Sequence, residues 1–249
     1  MFKLSAIAVA LLFPAVAAAQ PAQGLYVSGS VGANFAGDLT SSHQITKVDT
    51  DTGPLGLAAL GWRLGDGFRA EIEGSYRSNG ISDIFTRRVN GRSEALDNFS
   101  GNVGTYAAMA NLAYDLPVQA PWGLKPYIGA GVGYGWTGFN GQNGGGETII
   151  FHLPQNNTYT GPGVARWGTA GALAYQAMIG ASLPVRGVRG LELTAEYRFF
   201  GTAQAAVPVT RTATGGNLVN GAVPSESTHN GLHVQDDSLL VGVRYNFGP

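Results

Sequence analysis

The stretch FRAEIEGSYR, Phe68 to Arg77, decides how the rest of the chain is read. Taken at every second residue it separates into Phe68, Ala70, Ile72, Gly74 and Tyr76 against Arg69, Glu71, Glu73, Ser75 and Arg77. Strand side chains alternate between two faces, so this pattern predicts a strand with one apolar and one charged face. The fold turns on which face meets the interior and what covers the other.

The same alternation recurs along the chain. LYVSGSVGANF (Leu25 to Phe35) sets Leu25, Val27, Val31 and Phe35 against Tyr26, Ser28, Ser30 and Asn34. LGLAALGWRL (Leu55 to Leu64) sets Leu60, Trp62 and Leu64 against Arg63. YAAMANLAYDL (Tyr106 to Leu116) sets Tyr106, Leu112 and Tyr114 against Asn111 and Asp115. PYIGAGVGYGW (Pro126 to Trp136) sets Ile128, Val132, Tyr134 and Trp136 against a row of glycines. LAYQAMIGASL (Leu173 to Leu183), LELTAEYRF (Leu191 to Phe199) and LLVGVRYNF (Leu239 to Phe247) continue the pattern, with Glu192, Glu196, Arg198 and Arg244 on polar faces. With the opening stretch these are eight predicted strands.

Their connections alternate in length. Gly65-Asp66-Gly67 is a tight turn, and the links holding Pro117, Pro121 and Gly123, and Pro184, Gly187 and Gly190, are short. The other four, near residues 36–52, 79–101, 138–168 and 201–237, are long and polar, with Asn-Gly pairs that suit small hairpins. Short turns on one rim and long loops on the other predict an all-β, eight-stranded antiparallel up-and-down barrel with two unlike ends.

Composition narrows the setting. The chain has 249 residues and a formal net charge of -1, which gives no electrostatic reason to expect nucleic acid. It has no cysteine, which excludes disulfides, thiolate metal sites, a cysteine nucleophile and a lipoprotein anchor. The start MFKLSAIAVALLFPAVAAAQ has one basic residue, Lys3, an apolar run, and Ala17-Ala18-Ala19. That is the pattern of a cleaved export signal, with residues 1–19 removed, the cut between Ala19 and Gln20, and a barrel domain over 20–249. No later apolar run is long enough for a spanning helix.

Three features orient the barrel. Charged residues are only 12% of the chain, and the polar faces carry Gly129, Gly131, Gly133, Gly135, Ala107, Met109 and Ala113, a poor surface for water. Aromatics on the apolar face gather at the strand ends. Trp62, Phe68, Tyr114, Tyr245 and Phe247 lie near the short-turn rim, and Phe35, Tyr76, Tyr106, Trp136, Tyr197 and Phe199 near the long-loop rim. Two such girdles match the two interfaces of a bilayer. The sequence also ends two residues beyond its last strand. The apolar face is therefore expected to meet lipid, making this a transmembrane barrel.

The segments LGWRLGDGFRAEIEGSYR, MANLAYDL, KPYIGAGVGYG, AYQAMIGAS, LTAEYRFF and VGVRYNF resemble the eight-stranded outer-membrane barrels of the opacity-protein and outer-membrane-protein-A class, often labelled a porin family. The resemblance spans the mature chain. It implies a bacterial outer-membrane location, lipid and lipopolysaccharide as surroundings, and recognition of the last strand by the assembly machinery. Gly242, Tyr245 and Phe247 fit that class's assembly signal; Leu240, where a polar residue is usual, and the terminal Gly248-Pro249 depart from it. A C-terminal peptidoglycan-binding domain is not expected. Some barrels of this kind modify lipid A through a His-Ser pair, for which Ser41-Ser42-His43 is the nearest match, without an acidic partner.

In a membrane barrel the charged face of the opening stretch lines the lumen, which eight strands make just wide enough for side chains. Arg63, Arg69, Glu71, Glu73, Arg77, Glu192, Glu196, Arg198 and Arg244 are the expected lumen charge network. Arg63 should stand opposite Arg69 across the tight turn, with Glu71 diagonal to Arg63 and bridging both arginines. The glycine row should leave room for long side chains or water. Two roles follow: a plug of ion pairs inside a structural, surface-displaying barrel, or a narrow charge-lined path for ions and small solutes. A filled lumen offers no sugar-sized cleft, which argues against glycoside chemistry from the paired carboxylates.

The remaining motifs carry little. GAGVGYG repeats glycine at every second residue and lacks the Gly-x-Gly-x-x-Gly spacing and following helix, so no nucleotide cofactor is implied. His43, His152, His229 and His233 all fall in expected loops, and His229 and His233 would share a face only on a helix. Arg87, Arg88 and Arg92 are candidates for lipopolysaccharide phosphate.

Overall fold

A computed structural model describes residues 24–37, 45–87, 93–95, 99–118, 121–143, 147–152, 158–213 and 225–247. Residues 1–19, expected to be an export signal, the Ala19–Gln20 junction, Ser41-Ser42-His43, Arg88, Arg92 and Gly248-Pro249 lie outside them. The strands in chain order are β1 (Leu25–Ala36), β2 (Ile45–Thr50), β3 (Gly53–Gly65), β4 (Phe68–Arg87), β5 (Ser93–Ala95), β6 (Phe99–Asp115) and β7 (Lys125–Asn143). They continue with β8 (Glu147–His152), β9 (Thr158–Trp167), β10 (Thr169–Pro184), β11 (Leu191–Thr202), β12 (Ala205–Ala213), β13 (Ser225–Leu232) and β14 (Gln235–Asn246).

Eight of these close on themselves. The order β4-β3-β1-β14-β11-β10-β7-β6 returns to β4 through an antiparallel ladder from Phe68 opposite Tyr114 to Ile81 opposite Gly101. Six of the eight expected strands lie within one of them, and the two expected to end at Leu116 and Phe247 overrun β6 and β14 by one residue. Closure leaves no open edge in the ring, so every backbone N–H and C=O inside it can pair without water.

The orientation is decided by exposure. Along β4, Arg69 and Arg77 are 1% exposed and Glu73 is 2%, while Ile72 is 57% exposed. Val132 and Leu173, on the same outer surface, are 68% and 69% exposed. An apolar outside around a charged inside is stable only in an apolar solvent, where each such side chain gains about 1.5–3 kcal/mol over water. The girdle aromatics form pairs: Phe68 with Tyr114 at 4.8 Å and Tyr245 with Phe247 at 5.1 Å near the short turns, Tyr76 with Tyr106 at 4.5 Å near the other end.

The short-turn rim follows the sequence closely. Gly65, Asp66 and Gly67 all take positive φ, at 99°, 48° and 84°. At Gly67 a Cβ would also stand 2.8 Å from the Asp115 carbonyl oxygen, so glycine is required there twice over.

The other rim corrects the expectation of long loops. β4, β6, β7 and β10 run past the membrane-crossing length of about 9–11 residues, reaching 20, 17, 19 and 16 residues. β2 and β5 extend the ladder along the outer half of β4, and β13-β12-β9-β8 form a second sheet. Asn140-Gly141, read as a hairpin turn, continues β7, and His152 and His229 lie on β8 and β13 rather than in loops. SESTHNGL in β13 is polar on both faces, so the period of two leaves no trace in its hydropathy. At the outer mouth Ile81, Val103, Phe139, Val207 and Val234 cluster with Phe200 and cap the polar interior with an apolar layer.

Candidate functional site: the lumen charge network

The inward positions of six of the eight barrel strands deliver charge to one axis. Nearest the short turns, Glu192 of β11 collects three cations: Lys125 at 3.2 Å, Arg244 at 3.3 Å and Arg63 at 3.4 Å. Arg63 also donates to the Asn246 side chain at 2.9 Å. Asp115 of β6 takes Arg69 at 2.9 Å and Arg63 at 3.6 Å.

Arg63 and Arg69 stand opposite each other in the ladder. Their shared carboxylate is Asp115, not Glu71 as the sequence suggested. Glu71 lies two residues along β4 from Arg69, pairs with it at 3.0 Å, and accepts the Tyr26 hydroxyl from β1. That hydroxyl holds Glu71 at the next level up, while Arg63 extends the other way toward Asn246 and Glu192. Diagonal pairing does operate here, but across the β4–β6 ladder, where Asp115 sits two residues beyond the partner of Arg69.

The middle level spans the barrel. Arg198 of β11 meets Glu73 of β4 at 2.5 Å and Glu196 at 2.7 Å. Asn111 donates to the second Glu73 oxygen at 3.0 Å, and Gln176 donates to Asn111 at 2.7 Å. The Tyr127 hydroxyl donates to Glu196 at 2.9 Å. Tyr127 and Tyr26 come from opposite strands, and the guanidiniums of Arg69 and Arg244 lie over both rings at 4.8–5.8 Å. These cation–π contacts add to the ion pairs in a site shielded from water.

Toward the outer mouth, Arg77 pairs with Asp236 of β14 at 3.4 Å and lies 3.6 Å over the Phe200 ring. Its partner comes from a part of β14 that the sequence reading left in a loop. Asn34, Asn79 and Ser238 form a neutral level here: Asn34 donates to Asn79 and accepts from Ser238, both at 2.7 Å.

The network is balanced. Arg63, Arg69, Arg77, Lys125, Arg198 and Arg244 face Glu71, Glu73, Asp115, Glu192, Glu196 and Asp236, six cations against six anions. Each buried charge has an opposite partner, the condition under which burying it is tolerable. Tyr26, Tyr127, Asp115, Lys125 and Asp236 complete the network beyond the residues named from sequence. Parity alone would have found Asp115, which shares the inward face with Asn111.

The glycine row does not stand open. A Cβ at Gly133 would lie 2.7 Å from the Met109 sulfur and one at Gly129 3.0 Å from Met178, while one at Gly131 would collide with Asn111. The room these glycines leave is taken by inward side chains of the adjacent strands. In β14, Gly242 sits opposite Ser30 and Thr194, Tyr245 faces outward and Leu240 points into the lumen, while Phe247, just beyond the strand, is exposed.

The family described as an outer membrane protein beta-barrel domain matches residues 5–247, and the chain belongs to it. An outer membrane protein of Gluconacetobacter diazotrophicus is 30% identical over 223 residues, covering 86% of this chain and 53% of the relative. The chain thus spans about half the length of that curated relative. Among solved structures, Neisserial surface protein A is 16% identical at a TM-score of 0.49, covering 92% of this chain and all of that one. OprG from Pseudomonas aeruginosa is 10% identical at a TM-score of 0.45, covering 92% of this chain and 97% of that one.

Proposed function

We propose that this outer-membrane barrel is a closed structural scaffold that presents its strand-rich long-loop end at the cell surface and does not conduct. The observation that carries the reading is the tie from Glu73 through Arg198 to Glu196, flanked at the same level by Asn111, Gln176 and Met178. In a barrel just wide enough for side chains, such a layer fills the cross-section. Farther out, the cavity beside Arg77 and Asp236 is about 10 Å³, room for roughly one water. The apolar cluster at the outer mouth adds a second obstruction.

The reading includes an exported chain whose residues 1–19 act as leader. It also includes recognition of Gly242, Tyr245 and Phe247 by the assembly machinery, and lipopolysaccharide around the outer rim. It assigns no catalytic step. The density of ionisable groups along the axis favours the second reading, a narrow path for ions, over any enzymatic one.

Planar-bilayer conductance of the refolded chain, beside a Glu71→Ala/Glu73→Ala double variant, separates the two. Verified insertion of the unaltered chain without discrete current steps supports the plug. Discrete steps that change in the double variant replace it with the channel.

A further inference from the structure

The short-turn rim holds exposed side chains that the lumen network does not use. β7 pairs with β10 so that Lys125 stands opposite Ser182, which makes the turn at Pro121–Gly123 a neighbour of the turn at 185–190. The first turn exposes Trp122, at 87%, and Val118, four residues earlier in the chain, is exposed as well. The second exposes Val188 together with Arg186 and Arg189. Trp122 has φ of 62°, a left-handed conformation unfavourable for a residue with a Cβ, yet the side chain gains no cover from the protein.

The charge around this patch has one sign. Neither PVQAPWGL (Pro117 to Leu124) nor PVRGVRG (Pro184 to Gly190) contains a carboxylate. The acids at the flanking ends of β11 and β6 are already committed: Glu192 to Arg63, Lys125 and Arg244, and Asp115 to Arg63 and Arg69. Arg186 and Arg189 are thus free of competition for an incoming anion from these two segments. The patch also lies just beyond the girdle of Phe68, Tyr114, Tyr245 and Phe247, at the depth of lipid headgroups.

We propose that these two turns form a binding site for an anionic phospholipid headgroup of the adjacent leaflet. Arg186 and Arg189 donate to the phosphate oxygens, which guanidinium groups match in charge and geometry. Trp122, Val118 and Val188 seat the glycerol backbone and the first acyl methylenes, the depth at which an indole is most stable in a bilayer. A zwitterionic lipid binds more weakly because its own ammonium group is repelled by the two arginines. The occupant is a lipid rather than an acidic protein because the patch combines like charge with apolar groups at membrane depth.

The test is native mass spectrometry of the full chain released from nanodiscs containing equal amounts of phosphatidylglycerol and phosphatidylcholine. The unaltered chain should retain phosphatidylglycerol in preference. Arg186→Gln/Arg189→Gln should erase the preference, at about fivefold per arginine, and Trp122→Ala should lower retention of both lipids. Arg166→Gln, at an exposed position of β9 at the other end, should leave the preference unchanged. Equal retention of the two lipids by the unaltered chain overturns the proposal. So does a preference that survives the double substitution, or one that Arg166→Gln reduces as much. Heat-dependent gel mobility verifies that each variant is folded, so a loss of preference is not a loss of barrel.

Discussion

Glu73 and Arg198 meet at 2.5 Å from strands on opposite sides of the ring: β4 and β11 are four strands apart in either direction. Each is buried almost completely, so the pair acts as a crossbeam through the barrel. Removing one partner leaves a charge stranded in the interior. Arg198→Ala is expected to cost about 3–5 kcal/mol, and Glu73→Gln less, because its amide can still hydrogen-bond with Arg198 and Gln176. Urea unfolding in lipid vesicles followed by tryptophan fluorescence measures both; equal and small losses would show that the crossbeam contributes little.

Asp115 joins two arginines that oppose each other in the β3–β4 ladder. Asp115→Ala should therefore destabilise more than Asp66→Ala in the adjacent turn, by about 1–3 kcal/mol. Arg63→Gln in the Asp115→Ala background should recover part of the loss, since it relieves the repulsion with Arg69. A double-mutant cycle on unfolding midpoints reads the coupling, and strict additivity would count against a shared role.

The inward glycines of β7 make room for specific neighbours. Gly131→Ala places a methyl against Asn111 and is expected to cost about 1–3 kcal/mol through overpacking. Combined with Asn111→Ala, the loss should be smaller than the sum of the two single losses. Refolding yield and unfolding midpoint both report it. An unchanged midpoint for Gly131→Ala would mean that the lumen has slack at this level.

The outward face can be tested with one charge. Val132→Arg should cost about 2–4 kcal/mol in a bilayer if the site lies near mid-depth. Arginine at Asp66, in the exposed short turn, should cost almost nothing. Vesicle refolding equilibria discriminate these, and tolerance of Val132→Arg would contradict a lipid-facing wall.

The period of two in FRAEIEGSYR and its counterparts made eight strands, their inward and outward faces and the tight Gly65–Gly67 turn legible, because alternation is a local property of the backbone. Scarce charge and the aromatic girdles made the membrane orientation legible as well, since a water-facing wall of glycine and alanine has no role in a soluble barrel. Partner choice inside the lumen was legible only in part: counting strands around an eight-membered ring sets the charges of FRAEIEGSYR across from Glu192, Glu196 and Arg198 and offers Arg244 to those carboxylates, as found, but does not say which side chains meet. Glu73 and Arg198 lie 125 residues apart, and only closure of the ring brings them across from one another. The same holds for Asp115 replacing Glu71 between two arginines, and for Asp236 meeting Arg77. Each depends on which hydroxyl or strand end reaches a given level first. The outer strands were legible only as small hairpins suggested by Asn-Gly pairs, because a strand such as SESTHNGL in β13 is polar on both faces and its extent is set by pairing rather than by a hydropathy period.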